Sequence, residues 1–389
     1  MDLVVVSSAI HFRHEGKLYA YGPYAREIEI WADLFDQVTI AAPCRQEAPP
    51  GDALAFLHSN IGIAPQPEVG GMTISAKAGA LLRLPMLVFQ LVRSMLAADA
   101  VHVRCPGNLG LLGTLLAPLC SRRRIAKYAG QWQDYPGEGF SVRLQRRILG
   151  SWWWRAPVTV YGRWPNQRDH VIPFFTSMMD DAQIERARQA AARARFGRTL
   201  RLVFVGRLSE AKNVDVMLDA MKRLRDQGLA TKATVVGEGP ERGRLEAFAS
   251  QWGLDVVFTG GVAFDKVFDA FEQSDVLVLV SETEGWPKAI SEAMAFGLVC
   301  IGTNRGLVPE MLGEGRGCVC EPRDAQGLAD TVAAIAREPE KYIEMRRKAA
   351  AYGQRYSIEG LREALRQLMN KSWGANLRPP TELQKADSR

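Results

Sequence analysis

Short apolar runs alternate with longer amphipathic stretches along most of the 389-residue chain. The runs are rich in Val and Leu, which is typical of strands buried on both faces of a parallel sheet. They occupy residues 3–7, 37–42, 100–104, 124–128 and 158–161 in the N-terminal half and 202–205, 233–236, 255–259, 276–280 and 298–303 in the C-terminal half. Two sets of strands separated by helical patterns predict an α/β protein with two doubly wound, Rossmann-like domains.

The same pattern predicts the domain boundaries. We expect an N-terminal domain over residues 1–172 and a C-terminal domain over 199–356. A charged helical stretch, 173–198, is predicted to be the linker helix between them. A last helix over 357–373 is a candidate to return to the N-terminal domain. The polar tail, 374–389, contains a proline pair and is expected to be disordered.

The loop after the strand at 202–205 is the first candidate site. The strand pattern ends at Gly206, and the next helical pattern begins near Asn213, a good N-cap residue. Arg207 and Lys212 lie between them. A helix N-terminus beside two cations is suited to a diphosphate, although a solvated basic turn would contain the same residues.

A second loop, GEGPERG at residues 237–243, follows the strand at 233–236. Its glycine spacing is G-x-G-x-x-x-G, whereas the dinucleotide fingerprint is G-x-G-x-x-G with an acidic residue closing the next strand. Here that strand is closed by the segment FTGG, residues 258–261. We therefore favour turn glycines that lead into a helix over an NAD site.

The segment SETEGWPKAISEAMAFG, residues 281–297, follows the apolar run at 276–280. Pro287 suits the first turn of a helix and Gly297 suits its end, so a helix is predicted over 287–296. Glu284 would lie on the loop and Glu292 more than one turn inside the helix. With the two preceding loops, this segment provides two cations, two helix N-termini and two carboxylates, which suits a nucleotide-diphosphate-sugar better than a dinucleotide.

The segments GRLSEAKN, VVGEGPERGRL and EGWPKAISEAMAFG resemble the C-terminal domain of glycosyltransferase family 4, with Glu284 and Glu292 matching its E-x7-E pattern. The resemblance is strong over residues 200–320 and weaker in the N-terminal half. It implies a retaining enzyme of the GT-B fold, with two Rossmann-like domains facing across a cleft. The donor would be a nucleotide-diphosphate-sugar bound by the C-terminal domain, and the acceptor a glycan or lipid-linked molecule.

The resemblance also implies a role for individual residues. Arg207 and Lys212 would stabilise the leaving diphosphate, and Glu284 would hold the transferred sugar, which makes these three the catalytic candidates. Glu292 would accept hydrogen bonds from the ribose. The donor-binding set implied by the resemblance is Gly22, Gly206, Gly261, Val262, Gly285, Trp286, Pro287, Lys288 and Glu292.

One departure from the family pattern concerns the N-terminal domain, and a separate observation concerns the metal. Many family members have a histidine near the donor sugar, whereas the corresponding segment here, KYAGQWQDY at 127–135, has none. Gly130, Gln131 and His102 are the candidates for the acceptor or sugar side. The chain has no Asp-x-Asp pair, so we expect no metal, no cofactor and metal-independent transfer.

Charge and aromatic residues concentrate in the N-terminal half. Residues 101–168 contain 11 Lys and Arg against two acidic residues, within a chain of net charge +6. Their segment SVRLQRRILGSWWWRAP combines arginines with three tryptophans, and Leu144, Ile148 and Trp152 would share one helical face. This pattern is typical of an interfacial membrane helix, and core packing of the tryptophans is the alternative.

Three other functions are weighed against transfer. An epimerase on the same GT-B architecture would need no acceptor, an NAD-dependent oxidoreductase would rest on the weak glycine motif, and nucleic-acid binding lacks any recognised motif. The N-terminus lacks the pattern of a signal peptide, and the six cysteines form no C-x-x-C pair. We therefore expect a cytoplasmic protein, with an anionic membrane surface as a candidate partner.

Overall fold

The computed structural model describes residues 1–68, 74–135, 138–197, 199–282 and 284–377, with the helix over 74–82 described by its backbone. Two compact units divide the chain. The first is Met1–Met178 with the C-terminal segment that starts at Glu359, and the second is Met179–Ile358.

The first unit is built on a seven-stranded parallel sheet of order β11-β10-β9-β8-β1-β4-β7 and a smaller sheet of order β5-β2-β3-β6. Its elements are β1 (Asp2–Val6), β2 (His11–His14), β3 (Lys17–Tyr21), α1 (Gly22–Ala32), β4 (Gln37–Ala42), β5 (Cys44–Arg45), β6 (Ala53–Ala55), β7 (Ile61–Pro65), α2 (Ile74–Leu96), β8 (Ala100–Cys105), α3 (Asn108–Cys120), β9 (Arg124–Tyr128), α4 (Phe140–Leu149), β10 (Val158–Tyr161), β11 (Val171–Phe174) and, from the C-terminal segment, α13 (Ile358–Trp373).

One face of the larger sheet is covered by α2, α3 and α4. Leu87, Leu91 and Met95, spaced four residues apart on α2, are fully buried with Val4 and Val101 in one core. Among the residues described, no helix combines the length and the apolar character needed to cross a membrane.

The second unit is built on a six-stranded parallel sheet of order β14-β13-β12-β15-β16-β17. Its elements are α5 (Asp181–Arg193), β12 (Leu200–Val205), α6 (Val214–Asp226), β13 (Thr231–Val236), α7 (Arg242–Gln251), β14 (Asp255–Gly260), α8 (Phe264–Glu272), β15 (Val276–Leu279), α9 (Lys288–Ala295), β16 (Val299–Thr303), α10 (Val308–Leu312), β17 (Cys318–Cys320), α11 (Ala325–Arg337) and α12 (Ile343–Gly353), with short 3₁₀ helices at Glu210–Lys212 and Pro339–Tyr342.

All ten predicted strands lie in the two parallel sheets, which confirms the prediction of an α/β fold with two doubly wound domains. The predicted linker over 173–198 is wrong as a separate segment. Its helix, α5, begins at a capping box formed by Asp180 and Gln183 and packs against α9 and α12 of the second unit.

Helix α13 belongs to the first unit. Arg362 Nε lies 2.6 Å from Asp33 Oδ2, and the Trp373 indole donates a hydrogen bond to the Arg124 carbonyl at 3.3 Å. The C-terminal helix therefore folds back onto the domain that contains the N-terminus.

Candidate active site

The loops after β12 and β13 are in backbone contact at the carboxyl edge of the second sheet. A Cβ atom on Gly237 would lie 1.9 Å from the Gly206 carbonyl oxygen, and one on Gly239 would lie 2.1 Å from the Leu208 carbonyl oxygen. Only glycine permits such an approach. The glycines that resemble a dinucleotide fingerprint therefore serve loop packing, in agreement with the turn interpretation.

The loops after β12 and β15 are joined by an ion pair between two predicted catalytic residues. Lys212 Nζ lies 2.5 Å from Glu284 Oε1, with 26% of the lysine side chain and 11% of the glutamate side chain exposed. Arg207 lies on the same loop as Lys212 and is exposed. Because the pair is only partly buried, a ligand can reach it and exchange partners with it.

Asn213 fixes the geometry of this pair. Its backbone is in the left-handed region, at φ 49° and ψ 42°, and its side chain is buried. The side-chain amide donates to the Val280 carbonyl at 3.0 Å and to Glu282 Oε1 at 3.1 Å, while the Glu282 N–H donates to the Ala211 carbonyl at 2.9 Å. Asn213 occupies the predicted N-cap position, but its side chain ties the two loops together instead of capping α6.

The predicted helix over 287–296 is present as α9, which begins one residue later and ends one residue earlier. Pro287 occupies the N-cap position and Gly297, at φ +71°, follows the last turn. Glu292 lies on the fifth residue of the helix and is buried, about 6 Å along the axis from its start. A carboxylate at this depth must be hydrogen-bonded or paired.

The loop between β15 and α9 packs against the loop after β16. A Cβ atom on Gly306 would lie 1.8 Å from the Glu284 carbonyl oxygen, so the two backbones are in direct contact. Trp286 is buried edge-on against Tyr356, with ring centroids 5.3 Å apart. Gly285 is half-buried beside it. These contacts fix the backbone conformation between Glu284 and α9.

Gly261 and Val262 follow β14 and are exposed at the same edge of the sheet as the loops after β12 and β15. Lys288 opens α9. The structure thus places the predicted residues of the second unit on neighbouring strand ends and brings Lys212 and Glu284 into direct contact.

The first unit contains a charged cluster that the sequence did not predict. Arg104 Nη1 lies 2.5 Å from Glu27 Oε1, and Lys127 Nζ lies 2.7 Å from Glu27 Oε2. Burial alone would raise the pKa of Glu27, but the Arg104 and Lys127 charges outweigh it and hold the pKa well below its usual range. The available signal was a cation next to the last residue of each strand, in VHVRC and RIAKY.

Two predicted residues of the first unit lie in surroundings that differ from the prediction. Gly22 is the first residue of α1, not part of the loop before it, and its N–H donates to the Asp52 carbonyl at 2.9 Å. His102 is fully buried in β8, 4.1 Å from the Trp31 ring, and burial lowers its pKa well below the usual value. Neither of its ring nitrogens has a hydrogen-bond partner among the residues that the structure describes.

Gly130 and Gln131 lie in the loop after β9 and are half-buried. The Gln131 carbonyl accepts a hydrogen bond from Arg146 Nη1 at 3.4 Å, and Arg146 also pairs with the buried Glu138. Gly130 and Gln131 therefore lie at the carboxyl end of a strand of the first sheet, as predicted from the sequence. In the described ranges, no group of three or more His, Cys, Asp or Glu is placed to hold a metal ion.

Residues 185–356 match the family model described as glycosyl transferases group 1, which confirms the resemblance over this segment, less than half of the chain. A protein of Salmonella typhimurium named as a candidate colanic acid biosynthesis glycosyltransferase, WcaL, is 33% identical over 150 residues, covering 36% of this chain and 37% of that protein. The chain spans between 33% and 39% of the length of the first curated relatives that it matches.

Two solved structures extend the similarity to both units. HepE of Anabaena, in complex with UDP and glucose, has a TM-score of 0.67 at 17% identity and covers 95% of this chain and 99% of that chain. A sucrose-phosphate synthase of Thermosynechococcus elongatus has a TM-score of 0.70 at 18% identity, covering 96% and 99%. At this identity the likeness concerns the fold, and it confirms the GT-B fold class.

Proposed function

We infer, from the match of residues 185–356 to the group 1 glycosyl transferases, that this chain is a glycosyltransferase of family 4. It transfers a sugar from a nucleotide-diphosphate-sugar to a glycan or lipid-linked acceptor, with retained anomeric configuration, in the synthesis of a cell-surface polysaccharide or glycolipid. The observation that carries the proposal is the contact between Lys212 and Glu284 at the carboxyl edge of the second sheet. The UDP and glucose bound by HepE support a nucleotide-sugar donor.

The ion pair suggests how a donor would be received. Without donor, Lys212 neutralises Glu284 and holds its side chain over the loop. A diphosphate would take the lysine ammonium as its counter-ion, and sugar hydroxyls would donate hydrogen bonds to the released carboxylate. Arg207, exposed on the same loop, adds a fork of donors. Cations that meet the charge developing on the leaving diphosphate lower the barrier to its departure.

The remaining contacts to the nucleotide-sugar donor would be made along α9, starting at its N-terminus. Backbone N–H groups of Gly285, Trp286 and Lys288 would face the sugar or phosphates at the helix N-terminus. Glu292, one turn farther, would accept hydrogen bonds from the ribose, and Gly261 and Val262 would flank the base. Gly206 would allow the diphosphate to approach the end of β12.

We propose that the transfer needs no metal ion, because Lys212, Arg207 and the N-termini of α6 and α9 provide the positive charge that the leaving group requires. Transfer should persist in excess EDTA. Activity that is abolished by the chelator and restored by a divalent cation would contradict this part of the proposal.

The acceptor side is proposed to approach through the helices of the first unit. Helix α3 packs against α2 and α4, and together they expose several large apolar side chains. The residues are Met86, Phe89, Leu96, Leu115, Leu119, Phe140 and Trp152. Arg93 and Arg147 are exposed among them. An exposed apolar face mixed with cations suits an anionic membrane surface.

The three tryptophans of this region have separate environments, and Trp152 does not extend a helical face with Leu144 and Ile148 as predicted. Helix α4 ends at Leu149, before any of them. Trp154 is fully buried in the core, Trp153 donates to the Thr114 carbonyl at 3.2 Å, and Trp152 is 66% exposed. Core packing therefore accounts for Trp154, whereas Trp152 is the tryptophan that we propose for the membrane surface.

Sedimentation with anionic vesicles tests the membrane proposal. The Phe89→Ser and Trp152→Ala variants should sediment less than the wild-type chain, while Val257→Ser, an exposed apolar position in the second unit, should not differ from it. Equal sedimentation of all four proteins, or none by the wild type, would refute the membrane surface.

A thermal-shift screen against UDP, GDP, ADP and their sugars tests the donor site, because a ligand that binds only the native state raises its stability. The stabilisation should be lost in Lys212→Gln and kept in Lys341→Gln, a surface lysine paired with Glu338. The products of the reaction are then analysed. Retained configuration at the anomeric carbon supports the proposed mechanism, and turnover of the donor without acceptor indicates an epimerase. Stabilisation by NAD(H) alone would overturn the proposal.

A further inference from the structure

A cavity of about 550 Å³ opens at the amino ends of the strands in the second unit. It lies between the end of α5, the start of β12, the residues before β15, and α12. Four arginines are among its lining residues: Arg193, Arg195, Arg201 and Arg346. We propose that this cavity is a second anion-binding site that takes a phosphate-bearing small molecule, separate from the donor site.

The charges of the cavity are not balanced by its own acidic residues. Arg201 pairs with Asp275 at 2.9 Å, and the lining Glu272 is already paired with Arg186 at 2.7 Å. Within the part of the chain that the structure describes, Arg193, Arg195 and Arg346 have no carboxylate partner. Three guanidinium groups facing one cavity favour a multiply charged anion.

Arg346 is the strongest indication of a ligand. It is 7% exposed, its Nε donates to the Gly297 carbonyl at 2.5 Å, and its guanidinium lies 4.7 Å from the centre of the Phe196 ring. Its terminal nitrogens make no hydrogen bond to any residue that the structure describes. A buried cation is costly unless an anion accompanies it. Burial lowers the pKa of Arg346, the Asp275 carboxylate opposes this shift, and the nearby Arg201 and Arg195 charges act in the same direction as burial.

The other two arginines are placed to close on a ligand. Arg193 Nε and Arg195 Nη1 donate to carbonyls at the C-terminal end of α5, and both side chains are otherwise exposed. These bonds leave the remaining donors of each guanidinium available. The floor of the cavity is formed by Phe271 and Phe296, both fully buried. A phosphate group carried on an apolar or planar body fits this lining best.

The cavity is distinct from the donor loops. All strands of the second sheet are parallel, so the starts of β12 and β15 lie at the edge opposite to their loops. A six-residue strand such as β12 separates the two edges by about 20 Å. One ligand of diphosphate size therefore cannot occupy both positions.

Hydrogen–deuterium exchange of the full chain with and without tripolyphosphate tests the proposal. We expect slower exchange in peptides covering 190–201 and 342–350. The protection should be lost in Arg195→Gln, which removes an exposed side chain and leaves the core intact. It should persist in Arg188→Gln, an exposed arginine of the same helix paired with Glu185. The Arg346→Lys variant keeps the positive charge and should retain part of the protection.

The donor site provides an internal control. A Lys212→Gln variant should lose protection in peptides covering 206–213 and keep it in 190–201, so that failure of the donor proposal and failure of the cavity proposal give different results. A parallel arm with phosphatidylglycerol vesicles identifies a lipid headgroup as the source if only vesicles protect 190–201. Protection confined to 206–213, no protection in either arm, or protection that survives in Arg195→Gln would overturn the second site.

Discussion

Each unit contains a glutamate held by cations near the carboxyl ends of its parallel strands, and the two arrangements differ in burial. In the first unit, Glu27 is enclosed with Arg104 and Lys127, none of them more than 14% exposed. In the second unit, Glu284 meets Lys212 on loops that solvent reaches. The two glutamates are similarly buried, and the arrangements differ mainly in the cation, since the Lys212 side chain is 26% exposed and the Lys127 side chain 8%.

The difference in burial indicates which ion pair can exchange partners with a substrate. A buried pair loses several kcal/mol if one partner is removed, because the remaining charge is left without water or counter-ion. A partly exposed pair contributes about 0–1 kcal/mol to stability. The buried cluster holds α1 against β8 and β9, whereas the partly exposed pair can release Lys212 to a substrate at a smaller structural cost.

The largest effect is expected for Glu27→Gln. The neutral amide leaves Arg104 and Lys127 buried without their carboxylate, so the free energy of unfolding should fall by about 3–5 kcal/mol. Urea unfolding followed by circular dichroism measures it. The comparison variant is Glu284→Gln, for which we expect a loss of about 1 kcal/mol or less. Equal losses of unfolding free energy in the two variants would contradict the difference proposed between the two ion pairs.

Glu284→Ala should affect turnover instead of stability. Removing the carboxylate that we propose to hold the transferred sugar should lower kcat about 100- to 1,000-fold. Steady-state kinetics with the donor identified by thermal shift measure this, and the unfolding curve of the same variant serves as the control. A variant with wild-type kcat would remove Glu284 from the mechanism.

Glu292→Ala should mainly weaken donor binding. The carboxylate lies one turn inside α9, away from the loop that carries Glu284, so its loss should weaken donor affinity about 10- to 100-fold with a smaller change in kcat. Calorimetric titration with the nucleoside diphosphate alone separates binding from turnover. An unchanged Kd would show that Glu292 does not reach the nucleotide.

A fourth, smaller effect concerns pH and the first unit. Hydrogen bonds to Asp33 and Glu29 raise the pKa of His58 to about 9. Because the folded pKa lies above the unfolded value of about 6.5, this contribution to stability is complete below pH 6.5 and is lost as pH rises through 9. Asp33 keeps Arg362 as a partner when His58 loses its proton, so deprotonation does not leave the Asp33 carboxylate without a cation.

Unfolding free energies measured between pH 6 and pH 9.5 test this, with His58→Gln as the matched variant. The wild-type protein should lose stability over this range, and the variant should show a flatter profile. Parallel profiles for the two proteins would exclude His58 as the source.

Local patterns were enough to predict the elements that carry the second unit. Runs such as 276–280 are apolar at every position, which identifies a strand covered on both faces without any knowledge of its neighbours. Pro287 and Gly297 marked the ends of α9 to within one residue, because their backbone preferences act locally. The small sheet of the first unit escaped prediction since its hairpin, HFRHEGKLYAY, has neither an apolar run nor a regular alternation and is only partly buried.

The sequence by itself determined two α/β domains and the positions of the loops after β12, β13 and β15, because strand burial, helix ends and glycine turns depend on neighbours in the chain. Only the tertiary structure decided which charges meet. Lys212 and Glu284 are 72 residues apart, Glu27 and Lys127 are 100 apart, and the cavity arginines come from α5, β12 and α12. Their pairing and burial depend on strand order, which local residue preferences do not encode.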